Sequence, residues 1–229
     1  MPVPFPDYEG EITRIARRNM ADVVPLIEER DEETLRKIKN FADRFGFSLK
    51  VVLDEICARP VLQAVFAKEP GRQGTHEKLA ASFIKKIPHV SAFGVLGKNK
   101  YVVVQGGVML RKDARKSGTA DRAKSLDFTW KLGDFEFYAS HKYTKEGGGA
   151  QDNQYEDLKG FIEAANASNR RFTIFLAMAD GPYYETMDTG AGVSRLQRLK
   201  DLANRRNVFA VSSYDLEAFL KDFAAKIAP

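Results

Sequence analysis

One stretch constrains the fold more than any other: residues 124–142, K-S-L-D-F-T-W-K-L-G-D-F-E-F-Y-A-S-H-K. Two alternating runs, 125–132 and 135–142, flank Gly133-Asp134. A Gly-Asp pair between such runs predicts a two-residue hairpin loop, with glycine supplying the positive φ that the turn needs. The loop then sets the register. Leu132 faces Phe135, Trp130 faces Phe137, Phe128 faces Ala139 and Leu126 faces His141, which makes one apolar face. The opposite face pairs Lys131 with Glu136, Thr129 with Tyr138, Asp127 with Ser140, and Ser125 with Lys142. Asp127 and Lys142 are then diagonal neighbours, about 7–8 Å apart at the backbone. A carboxylate and an ammonium group converge on one small volume.

The elements around the hairpin follow from periodicity and punctuation. Residues 1–70 read as a helical segment: 12–27 and 32–45 carry helical spacing, Asp31 is placed to cap the second, and Gly46 stops it. An apolar pattern resumes over 47–67 and breaks at Pro60. Pro70-Gly71 marks a boundary, and 71–229 reads as the main domain. That part begins with a helix over 76–86, carrying Glu77 in its first turn. Strands follow at 101–105 and 108–110, then the hairpin and a Gly-rich loop at 147–149. A helix over 153–166, a buried strand over 171–178, a loop over 179–192, a helix over 194–205, a strand over 208–212 and a helix over 214–227 complete the chain. The hairpin strands are antiparallel, and the crossover helix after them requires a parallel partner. The expected fold class is therefore α/β, a mixed sheet flanked by helices, with the helical segment in front.

A chain of 229 residues, 44% hydrophobic and 29% charged, is long enough to bury a core without covalent staples. Its single cysteine, Cys57, excludes an internal disulfide and a thiolate metal cluster, and its apolar setting V-L-D-E-I-C-A suggests a small core residue. No apolar run reaches the length of a membrane span, and M-P-V-P-F-P lacks a basic-then-apolar leader pattern, so a cytoplasmic protein without membrane association is expected. The net charge of +5 permits a polyanionic partner. The distribution is more telling: six cations (Arg111, Lys112, Arg115, Lys116, Arg122 and Lys124) stand against two acids in fourteen residues, which read as a basic loop entering the hairpin.

An acid in one strand, a residue-x-Lys ending the next and a crossover helix after it resemble the PD-(D/E)xK nuclease superfamily. The order of elements over 75–212 is similar to its αβββαβ core. Asp127 matches the first acid and Lys142 the lysine, although Leu126 stands where proline is common. The middle acid is replaced by Ser140, giving S-H-K. This resembles the type II restriction endonucleases in which the missing glutamate comes from the following helix; Glu156, fourteen residues beyond Lys142, is at that place. A capping box of Asn153 with Glu156 is the competing, purely structural reading of the same acid.

The resemblance implies a Mg²⁺-dependent enzyme of restriction-modification that hydrolyses phosphodiester bonds of double-stranded DNA as a homodimer, two sites being needed for two strands. It implies a catalytic set of Asp127, Lys142, Glu156 and Ser140. Asp127, Glu156 and the His141 carbonyl would be metal donors, with Glu77 assisting a second metal. Arg111, Lys112, Arg115, Lys116, Lys124, Gln151, Asn153 and Gln154 are the candidate DNA contacts, the polar ones for base edges. A non-specific or repair-type nuclease of the same superfamily, or a non-catalytic DNA-binding protein on the same fold, are the alternatives.

Overall fold

In the computed structural model Gly133 adopts φ 58°, and the hairpin forms about it. Strand β5 (Phe128–Leu132) pairs antiparallel with β6 (Phe135–Tyr143) through Leu132–Phe135, Lys131–Glu136, Trp130–Phe137, Thr129–Tyr138 and Phe128–Ala139, the register expected from the Gly-Asp loop. The structure describes residues 3–97, 100–119, 123–147, 149–187, 190 and 192–227, with the backbone alone at 72, 73 and 149–151.

The hairpin sits inside a five-stranded sheet ordered β1-β5-β6-β7-β8, where β1 is Ser91–Val95, β7 is Thr173–Asp180 and β8 is Val208–Val211. β1, β5 and β6 are antiparallel, while β6, β7 and β8 run parallel, so the sheet is mixed. The β6–β7 crossover is helix α8 (Gly149–Asn166). Alternation sends Phe128, Trp130, Leu132, Phe137, Leu176 and Met178 to one face, against Phe83 and Ile84 of α6 (Thr75–Ile84) and Leu216 and Leu220 of α11 (Ser213–Ile227). Phe175, Ala177 and Ala179 face the other side, against Leu158, Phe161 and Ile162 of α8 and Leu199 of α10 (Arg195–Leu202). Each large side chain buried this way contributes about 1.5–3 kcal/mol. These two layers enclose the sheet.

Three expectations are corrected. The strands at Tyr101–Val104 (β2) and Gly107–Leu110 (β3) do not join the main sheet; with β4 (Lys124–Ser125) they form a separate three-stranded sheet, β3-β2-β4. β1 takes the place beside β5, and its exposed, bulged run S-A-F-G-V gives no clear alternation to read. The hairpin ladder also stops at Phe128, so the expected pairs Leu126–His141, Asp127–Ser140 and Ser125–Lys142 are not made: Ser125 pairs with Val102 instead, and Leu126 is buried with the α8 face. Finally, residues 111–116 form a short helix, α7 (Arg111–Lys116), rather than a loop.

The described chain divides into two compact units, residues 7–75, and residues 1–6 with 76–229. The first is all helix: α1 (Tyr8–Ala21), α2 (Val23–Glu28), α3 (Glu32–Phe45), α4 (Leu49–Ala58) and α5 (Pro60–Phe66). Val23, Ile38, Ala42, Val52, Ile56 and Phe66 form its core. Asp31 caps α3 by accepting the Thr34 N–H at 2.9 Å, and Gly46 ends it at φ 71°. Cys57 is exposed, not in the core as its setting suggested, because Val52 and Ile56 take the inward face of α4. In the second unit the N-terminal residues are tied down: the Val3 N–H donates to Glu217 at 3.0 Å, and Phe5 lies edge-on to Phe83 and Tyr214. Among the described residues no helix is long and apolar enough to cross a membrane.

Candidate active site

The chain leaves the hairpin at Asp127, and that departure positions the acid. The Asp127 N–H still donates to the Ala139 carbonyl at 2.8 Å, while its own carbonyl accepts from Leu96 N at 2.8 Å. The next main-chain bond of the ladder is replaced by the side chain: the His141 N–H donates to Asp127 Oδ2 at 2.8 Å. Ser140 Oγ lies 3.4 Å from the same oxygen. The Asp127–Ser140 juxtaposition expected from register therefore survives by a different route. Among the described residues Oδ1 of Asp127 accepts no hydrogen bond, which leaves one carboxylate oxygen available for a ligand.

The electrostatics of that carboxylate are contested. Burial pushes the Asp127 carboxyl above its usual range, against the pull of the His141 N–H and the nearby charge of Lys142. The Glu77 carboxylate, exposed in the first turn of α6, adds a smaller upward push. Glu77 is brought in by α6, whose first turn is fixed against the end of β6 by His76 stacked on Tyr143, with ring centroids 4.2 Å apart and planes 14° apart. Among the described residues no group of three or more His, Cys, Asp or Glu converges as a complete metal cage.

Lys142 reaches this volume from β6 with its side chain 28% exposed. Its nearest acid is Asp157 of α8, with Nζ 3.6 Å from Oδ2. The helix acid expected there, Glu156, is turned away: it is exposed and lies 3.3 Å from Lys159. The reason is helical phase. At about 100° per residue, Glu156 falls about 170° from the Leu158–Phe161–Ile162–Ala165 face that packs on the sheet, whereas Asp157 falls about 90° from it. α8 also begins at Gly149, which puts Asn153 inside the helix and excludes the Asn153–Glu156 capping box. The same phase argument was available from the sequence and would have found Asp157.

The remaining candidates disperse. The imidazole of His141 lies on the opposite face, where Nε2 is 2.9 Å from Asp180 Oδ2 with both side chains 1% exposed. Asp180 in turn accepts from Ser213 N–H at 2.6 Å and from Ser213 Oγ. Burial pushes the Asp180 carboxyl up, but the His141 and Ser213 bonds outweigh it and hold it below its usual range. An ionised Asp180 only accepts, so His141 Nε2 carries the proton. Only the backbone of His141 serves the Asp127 side. Of the basic residues, Lys124 joins the site, 3.4 Å from Asp157 Oδ1, and Arg111 Nη2 donates to the adjoining Ser125 Oγ at 2.9 Å. Lys112, Arg115 and Lys116 are exposed on α7. Gln154 Oε1 accepts from Thr144 Oγ1 at 3.1 Å, Asn153 is exposed, and the side chains of Gln151 and Arg122 lie outside the described residues.

No protein-family model matches the chain, and no curated protein matches it. Among solved structures, the crystal structure of protein VC1899 from Vibrio cholerae is similar with a TM-score of 0.34 and 12% identity, over 97% of this chain and 57% of that one. The chain thus spans a little over half the length of that protein, and a likeness of this degree carries no argument about activity.

Proposed function

We propose that the protein is a Mg²⁺-dependent nuclease of the PD-(D/E)xK type, a type II restriction endonuclease that cleaves double-stranded DNA as a homodimer. The observation that carries this reading is the anchoring of Asp127 to the end of β6 that bears Lys142: Asp127 Oδ2 accepts the N–H of His141, the residue before the lysine, at 2.8 Å. The His141 N–H and Ser140 Oγ hold Asp127 Oδ2 and leave Oδ1 without a hydrogen bond among the described residues. Asp127, the His141 carbonyl and Glu77 are the donors offered to the metal, and Mg²⁺ bound there would supply charge compensation at the scissile phosphate and an activated water. Lys142 places an ammonium group beside that phosphate and stabilises the charge that develops on its oxygens. Asp157 takes the place of Glu156 as the helix acid facing the lysine.

The test is digestion of a defined plasmid with Mg²⁺. Discrete bands that Lys142→Ala abolishes, with DNA binding in Ca²⁺ retained, are expected. Undiminished cleavage by Lys142→Ala removes the lysine from the mechanism. A smear in place of bands favours a non-specific nuclease, and binding without any cleavage favours a DNA-binding protein on the same fold.

A further inference from the structure

Lys124 and Lys142 arrive from different sheets, β4 and β6, yet share one carboxylate. Asp157 presents Oδ1 to Lys124 at 3.4 Å and Oδ2 to Lys142 at 3.6 Å. The arrangement is built into α8. Gly160, one turn beyond Asp157, leaves the space that the Lys124 stem crosses: a Cβ there would lie 2.5 Å from Lys124 Cε and 3.1 Å from its Nζ. Gly160 thus leaves the channel along which Lys124 reaches Asp157. All three charged side chains keep solvent access, at 31%, 28% and 55% exposure, so the pairing is weak and exchangeable.

A carboxylate that bridges two ammonium groups through its two oxygens occupies the place a phosphate would occupy through two of its own. We infer that Lys124 and Lys142 form a two-ammonium seat for one backbone phosphate of DNA, and that Asp157 is the internal anion that fills this seat until the phosphate displaces it. The inference rests on the nucleic-acid part of the proposed function and not on cleavage. Asp157 then acts as a positioning residue: it holds two flexible lysines convergent in the free protein and competes with DNA for them. Its removal should leave the seat open, a change opposite to the one a purely structural ion pair would give.

The experiment is fluorescence anisotropy of a labelled DNA duplex with the full chain in Ca²⁺, across a KCl series. Lys124→Ala should weaken binding, and Lys124→Ala combined with Lys142→Ala, which empties the seat, should reduce the slope of log K against log[salt] by about 0.9, one phosphate contact. Asp157→Asn should tighten binding about two- to fivefold without reducing the slope, the amount an exposed ion pair is worth. Combined with Lys124→Ala, the same change should tighten binding less. Unchanged binding in Lys124→Ala, an unchanged slope in the double lysine variant, or unchanged or weaker binding in Asp157→Asn overturns the seat. Absence of Mg²⁺-dependent cleavage by the unaltered protein sinks the nuclease reading and leaves these binding outcomes to be judged separately.

Discussion

Asp180 offers the sharpest test of how the site is supported. Its side chain is 1% exposed and takes three donors: Ser213 N–H at 2.6 Å on one oxygen, and Ser213 Oγ and His141 Nε2 on the other, the latter at 2.9 Å. Asp180→Asn keeps the shape but turns one acceptor into an NH₂ that must face a donor. A hydrogen bond to a charged group is worth about 1.5–3 kcal/mol, and a stranded buried donor adds to the loss. The expected destabilisation is about 2–4 kcal/mol for asparagine and about 3–5 kcal/mol for alanine, which strands all three donors. For a chain of this size that is a fall in Tm of about 4–20 °C. Urea unfolding can be followed by the fluorescence of the single tryptophan, Trp130, which is fully buried on the same face and stacked on Phe137 with centroids 5.3 Å apart. Acid supplies an internal check. Asp180 is held below its usual range, so its contribution is complete above the unfolded-state value of about 3.9 and disappears as pH falls through the lower folded value. Variant and unaltered protein should therefore converge in strong acid. A loss under about 1 kcal/mol at neutral pH, or a gap that persists in acid, refutes the three-donor account.

Asp127 has the opposite sign. Burial raises its carboxyl, so the stability it contributes is present below about pH 3.9 and declines as pH rises through the folded value. Asp127→Asn retains an oxygen for the His141 N–H and should raise the melting temperature of the metal-free protein by a few degrees at neutral pH while abolishing any stabilisation by Ca²⁺; a lowered melting temperature counts against the reading. Gly181, at φ 101° directly after β7, would carry a Cβ 2.3 Å from the Thr144 carbonyl oxygen. Gly181→Ala should cost about 2–4 kcal/mol in the same urea assay, and a near-neutral result would show that the turn can relax.

The hairpin was legible because its loop residue is chemically distinctive: glycine at positive φ fixes the register, and register fixes every face after it. The parallel β6–β7 pairing was legible from the crossover helix. What the alternation could not carry was the point where pairing ends. Leu126 and Ser125 continue the pattern in letters, but the Asp127 carboxylate takes the His141 N–H, and the strand turns to β2. A side chain that substitutes for a backbone acceptor leaves no trace in hydrophobic periodicity. β1 was missed for a related reason, since Ala92 at φ 48° and the bulge between Ser91 and Gly94 interrupt its period. Which of Glu156 and Asp157 lies beside Lys142 was legible in helical phase, whereas the fourteen-residue spacing pointed to Glu156, which lies beside Lys159.

The switch of sheets at Asp127 has a mechanical consequence. Lys124 and Ser125 are tied to β2, and the His141 N–H grips Asp127 only two residues later, so the link has almost no slack. The position of the small sheet and that of the carboxylate are therefore set by the same three residues, 125–127. A break in that link, such as a glycine insertion after Ser125, would free the acid from the sheet that leads into it.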